Sequence, residues 1–191
     1  MTIEFPEPKS EDEAQRIKHF LEAGGEVGLK EVDSFRADGT AAATLGQPGT
    51  LRFGASAAQV LRSLGAGANR RAVLTVDVGD LKPADQFSAA VFLNNPEASA
   101  RISSQDPTFA GTFGFFFHSA EHVGPSDRVD ADTLQYQLDV TELVKRLPRQ
   151  GDPLTGHVVL VPGPKPPAAS TGITVRNLSV RVLESTVKRN T

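Results

Sequence analysis

Two histidines four residues apart, His118 and His122, form the one constellation in the chain that resembles a metal site. Glu121 stands between them, and Asp127, Asp130 and Asp132 follow. On a helix, this spacing turns both imidazoles to one side, as zinc sites require. Here the pair follows a β-like run and precedes Gly124-Pro125, so both are read as loop histidines, with no metal and no cofactor. His19 and His157 stand apart, and His157 opens an apolar run in which a structural role is expected. No Gly-x-Ser-x-Gly elbow accompanies a histidine and an acid. Gly65 and Gly67 follow no strand and lack the third glycine of a dinucleotide loop. Asp77, Asp80 and Asp85 are read as solvated loop carboxylates. Asn177-Leu178-Ser179 fits the glycosylation sequon but falls within an expected strand. With no cysteine, disulfides, thiol nucleophiles and thiolate metal sites are excluded. No catalytic residue is assigned.

The other unusual feature is aromatic. Of eleven phenylalanines, five lie between Phe109 and Phe117. In a strand over Thr108–Phe117, the residues Phe109, Phe113, Phe115 and Phe117 share one parity and suit a sandwich interior. Phe116 has the opposite parity, and is the candidate for an exposed partner contact or a shielding side chain.

The elements that must position these residues are short strands. Glu26–Val32, Phe35–Ala37, Ala41–Leu45 and Thr50–Phe53 are β-like pieces, with Asp38-Gly39 reading as a hairpin turn. Strands are expected at Arg71–Val78, Phe87–Leu93, Leu134–Val140, His157–Val161 and Ile173–Leu183. The last should carry a bulge near Asn177, where the apolar spacing stretches from two to three. A helix capped by Ser56 should bury Val60, Leu61 and Leu64 and end at Gly65-Ala66-Gly67; a second, Glu142–Leu147, should start from Asp139 or Thr141 and stop at Pro148. Near the N-terminus, Ser10, Glu11, Asp12 and Glu13 open a helix over residues 11–23. Its apolar face holds Ile17, Phe20 and Leu21, and Gly24-Gly25 ends it. It reads equally as a docking appendage or as part of the domain. The expectation is a mainly β chain: an antiparallel, jelly-roll-like β-sandwich over residues 26–191 with one or two short helices, preceded by a helical extension over 1–25.

The 191 residues are 39% hydrophobic and 23% charged, enough for a real core, with a net charge of −3. That charge gives no reason to expect nucleic acid or an anionic membrane as partner. No run reaches the ~20 apolar residues of a membrane span. Residues 1–9 are acidic and proline-bearing, unlike a secretory signal, so a soluble, cytoplasmic protein is favoured.

The order of motifs in the second half has a family likeness. Phe87 to Asn94 is an FxVFxN-like segment, and Asp106 to Phe113 reads DPxFAGTF, with His118 soon after. LDVTELV follows at Leu138 to Val144, then a G…L…VxLVP strand from Gly151 to Pro162 and GxTVxxxxVxVL from Gly172 to Leu183. Together these resemble the C-terminal domain of tyrosinases and polyphenol oxidases, the type-3 copper proteins, over about residues 71–184. The resemblance implies a non-catalytic β-sandwich that covers the mouth of a copper oxidase domain and keeps the latent enzyme inactive, often with one bulky side chain near the metals. A dicopper centre needs six histidines and this chain has four, so the oxidase does not reside in these residues. The partner implied is a type-3 copper oxidase domain, in cis or as a separate chain. The methionine start slightly favours a separate protein. The alternative is a free-standing binding or assembly module that keeps the fold without an oxidase.

Overall fold

The apolar alternation along β4 (Arg70–Gly79) builds the centre of the molecule. Ala72, Leu74, Val76 and Val78 are all fully buried on one face. The computed structural model describes residues 26–67, 69–80, 87–101, 103–114, 133–148, 151–163 and 172–188. Around β4 stand β1 (Glu26–Arg36), β2 (Ala41–Thr44), β7 (Leu134–Asp139) and β9 (Gly172–Lys188), in the order β1-β9-β4-β7, with β2 also on β9. A second sheet runs β3-β8-β5-β6, from β3 (Gly49–Ser56), β8 (Pro153–Pro162), β5 (Phe87–Leu93) and β6 (Phe109–Gly114). Every pairing is antiparallel. With β1 and β2 counted as one interrupted strand, the eight strands among the described residues form a jelly-roll-like sandwich, as the sequence suggests.

The inner faces share one core. Leu74, Val76, Val175, Leu178 and Val180 of the first sheet meet Phe53, Val91, Leu93, Val158 and Leu160 of the second. Each such side chain contributes about 1.5–3 kcal/mol on burial. The sheets approach most closely at Gly156, where an added Cβ would stand 2.1 Å from Leu178 Cδ2.

Among the described residues, two helices close one end. In α1 (Ala57–Gly65), Ser56 accepts from the Gln59 amide while the Gln59 side chain accepts from the Ser56 amide, a complete capping box. Val60 and Leu64 enter the core, with Leu61 packed beside them. In α2 (Thr141–Arg146), Asp139 Oδ1 accepts from the Thr141 amide, and Leu143 and Val144 are buried.

Three expectations need correcting. Asp38-Gly39 does not form a hairpin: β1 and β2 both lie antiparallel to β9 in series, pairing with Ser179–Lys188 and Gly172–Val175 respectively. Gly39, at φ 74°, instead supports a kink, and the Ala37 and Asp38 amides bond to Leu178 and Arg52 carbonyls on opposite sheets. Several strands are longer than their apolar runs, because polar residues keep pairing: β8 begins at Pro153 and β9 reaches Lys188. Phe109 and Phe113 do not share a face. Val91 pairs with Gly111 and Phe92 with Phe109, so Ala110 is an extra residue and the parity inverts across it. The bulge expected near Asn177 is present, since Asp77 pairs with Asn177 and Val78 with Val175, leaving Arg176 extra. The N-terminal helix lies outside the described residues.

Candidate functional site

Strand direction sorts the connections to the two ends of the sandwich. Both helices and the turn over residues 94–108 lie at one end. From the other end depart the connections 81–86, 115–132 and 164–171, none of them among the described residues. Phe116, His118 and His122 all belong to 115–132, as does Phe115, so all four lie outside the described residues. The described rim of that end is formed by Asp80, Phe87, Gly114, Thr133, Pro162 and Arg176.

The bulge in β9 gives that rim its main fixture. The extra residue, Arg176, donates from Nη1 to Thr133 Oγ1 at 2.9 Å and from Nη2 to Asp80 Oδ1 at 3.3 Å. Its guanidinium lies across Gly79, where an added Cβ would come within 2.2 Å of Nε. Asp80 takes φ 58°, uncommon for a non-glycine residue. A hydrogen bond from the Thr174 hydroxyl, with Arg176 beside it, holds the Asp80 carboxyl below the usual carboxylate range. So Asp80 is not a free loop acid: it ties the end of β4 to the β9 bulge and the start of β7.

The aromatic strand also serves this end. Phe113 stacks on Tyr136 at 4.2 Å between ring centroids, and the Tyr136 hydroxyl donates to the Gly114 carbonyl. These contacts join the edge strands of the two sheets and fix where the 115–132 connection begins and returns. Burial raises the Tyr136 hydroxyl pKa. Phe109, on the opposite face, meets Phe92 edge-on at 5.5 Å and packs with Ala90, Ala98 and Val159 in a separate outer cluster.

The DPxFAGTF segment proves to be scaffold. Asp106 accepts from the Thr108 amide at 2.8 Å and from its hydroxyl, bonds that lower the Asp106 pKa. Gly111, at φ 152°, lets Leu138 close over it. His157 is structural too. It is 7% exposed on β8, with Thr50 Oγ1 3.0 Å from Nδ1 and Thr155 Oγ1 3.1 Å from Nε2, and burial lowers its pKa. Asp77 accepts from Gln135 and Asn177 on the flanking strands. Among the described residues no group of three or more His, Cys, Asp or Glu could hold a metal. Sequence reading missed Arg176 and Gly79, although the three-residue apolar step in β9 marked the bulge that positions them.

The model of the chloroplastic polyphenol oxidase C-terminal domain matches residues 44–182, more than half of the chain. The chain belongs to this family. The match begins well upstream of the motifs that carried the resemblance, taking in β3 and α1. It is confined to the C-terminal domain, so the catalytic copper domain is no part of it. Among solved structures, latent aurone synthase (polyphenol oxidase) from natural source is 15% identical, with a TM-score of 0.41 over 62% of this chain and 21% of that one. The recombinantly expressed latent enzyme is 16% identical, with a TM-score of 0.40 over 61% and 21%. The chain thus spans about a fifth of the length of these structures. Turnip yellow mosaic virus gives 14% identity and a TM-score of 0.32, over 100% and 88%. The comparison with curated proteins finds no match. The family is described as chloroplastic, which does not support the cytoplasmic expectation. Among the described residues no helix is long and apolar enough to cross a membrane.

Proposed function

We propose that this polyphenol oxidase C-terminal domain shields and restrains a type-3 copper oxidase domain in the same polypeptide. The observation that carries the reading is the family match over residues 44–182. Two features of the fold support it. Besides the turn over residues 45–48, three connections leave one end of the sandwich, and the Arg176 clasp and the Phe113–Tyr136 stack anchor the strands beside them. A domain joined to its target acts at high effective concentration, so modest contacts at that end suffice to hold a site closed, and cutting the connection releases it. Phe116, two positions beyond the last residue of β6, is the proposed shielding contact. His118 and His122 accompany it on the same connection without a metal.

The test is inhibition. A polyphenol oxidase copper domain lacking its own C-terminal domain is titrated with this chain while catechol oxidation is followed. Saturable inhibition by the parent chain, lost with Phe116→Ala at unchanged folding stability, supports the reading. Absence of inhibition, with no binding by calorimetry, favours the free-standing module.

A further inference from the structure

Each sheet has two edges: β1, with β2 in line behind it, and β7 in the first, β3 and β6 in the second. An open edge invites another strand, and proteins guard theirs with bulges, lysine or proline. Three of these edges are interrupted. β1 bulges between Glu31 and Asp33, beside Lys30; β3 loses register between Arg52 and Ser56; and β6 bulges at Ala110. β7 is not interrupted. It pairs with β4 without a break, from Asp139 opposite Val73 to Leu134 opposite Val78, and holds no lysine or proline. The Val140 amide donates to the Ala72 carbonyl of β4. By alternation the backbone groups of Leu134, Tyr136 and Leu138 also face β4, and those of Gln135, Gln137 and Asp139 face the open edge. Among the described residues nothing bonds the N–H or C=O of Gln135 or Gln137, and both residues are exposed.

We infer that β7 is an assembly edge whose partner is β7 of a second copy of this chain, antiparallel about a two-fold axis at Gln137. That register is self-complementary. Gln137 meets its own copy, so the two exchange both backbone hydrogen bonds, and their side-chain amides, each donor and acceptor, lie opposite each other. Gln135 meets Asp139 of the second copy. One hydrogen of Gln135 Nε2 goes to Asp77, which leaves the other for the facing carboxylate. On the inner face Tyr136 meets Leu138 of the copy, an aromatic–aliphatic pair whose members are only half-buried in the single chain. The neighbouring registers are worse. An axis at Asp139 sets two carboxylates face to face, and an axis at Gln135 carries Gln137 and Asp139 past the end of the opposing strand. The inference is independent of the shielding reading. β7 runs along the side of the sandwich, the shield is assigned to the loop end, and both can hold at once.

The full chain is sedimented over a roughly hundredfold range of concentration, and the expected result is a dimer that dissociates on dilution. Gln137→Lys and Gln137→Glu each set like charges together on the axis, and each should weaken the dimer roughly tenfold or more. An equal mixture of the two should restore it, because unlike copies then pair opposite charges. Ser34→Lys, at an exposed position of β1, is the control and should leave the dimer unchanged. If Gln137→Lys loses the cooperative urea transition, Gln137→Cys takes its place in a chain that has no cysteine of its own. Facing Cα atoms of a hydrogen-bonded pair stand about 5.5 Å apart, within disulfide reach, so oxidation should link two Gln137→Cys chains roughly tenfold faster than two Ser34→Cys chains. Equal rates would overturn the inference. A parent chain that stays monomeric throughout would also overturn it, and would leave the edge to a strand of a different protein. So would a dimer that Gln137→Lys leaves intact or that the mixture fails to restore, since the contact would then lie elsewhere or in another register.

Discussion

Replacing Gly156 by alanine tests the sandwich where its sheets come closest. The new Cβ would stand 2.1 Å from Leu178 Cδ2, while ordinary contact begins at 3.4 Å, so the two must separate by 3.4 − 2.1 = 1.3 Å. Leu178 is fully buried and has no solvent to turn into, and Phe53 Cε2 already lies 3.4 Å from the same point. A side chain must leave its rotamer or β8 must move from β9, which costs about 1–3 kcal/mol. For a chain of this size that is a fall in Tm of about 2–4 °C per kcal/mol. Urea unfolding should show a lower midpoint with an unchanged slope. Leu178→Ala alone should cost about 2–5 kcal/mol through its cavity. Together the two should cost less than their sum by about 1 kcal/mol or more, because the alanine methyl enters the vacated space. Gly156→Ala within about 0.5 kcal/mol of the parent, or strict additivity of the pair, would refute this close packing.

Phe113→Ala should cost about 3–5 kcal/mol by urea unfolding, since it removes core burial and the stack on Tyr136. Phe109→Ala should cost less, because Phe109 is only half-buried and occupies the outer cluster; equal losses would contradict the inverted parity. Ser56→Ala should cost about 1 kcal/mol by removing the cap of α1, and Ser56→Asp should recover most of it. His157 sets a pH dependence of definite sign. Burial lowers its folded pKa, so below the unfolded value of about 6.5 the unfolded chain binds a proton that the fold resists. Stability should therefore be fully present above that pH and fall as pH decreases towards the folded pKa. His157→Gln should flatten this part of the profile, and superimposable profiles would exclude His157 as its source.

The sequence spoke most clearly where burial has a regular period. Leu74, Val76 and Val78, or Leu178 and Val180, alternate and so name both strand and face. Ser56 with Gln59 named a helix start because capping chemistry is local. What it concealed came from partners distant in the chain. Asp38-Gly39 has hairpin chemistry, yet β9 is long enough to pair on both sides of it, and a kink results. The bulge at Ala110 inverted the phenylalanine parity, since Gly111 takes a backbone angle that no side-chain period records. Asp80 looked solvated because its partners, Thr174 and Arg176, lie almost a hundred positions away. Of the candidate site, Phe116, His118 and His122 lie outside the described residues, and the strand ends beside them are held by Arg176 and Tyr136, whose partners are too distant in the chain for the sequence to announce.

The most direct test of the shielding role joins this domain in frame behind a polyphenol oxidase copper domain, with a protease site engineered in the connection. Catechol oxidation is measured before and after the cut, in dilute solution. Low turnover that rises severalfold on cleavage, towards the rate of the copper domain alone, is the predicted result, because cutting removes the effective concentration that holds the shield in place. Turnover equal to that of the free copper domain before the cut, and unchanged after it, would contradict the account.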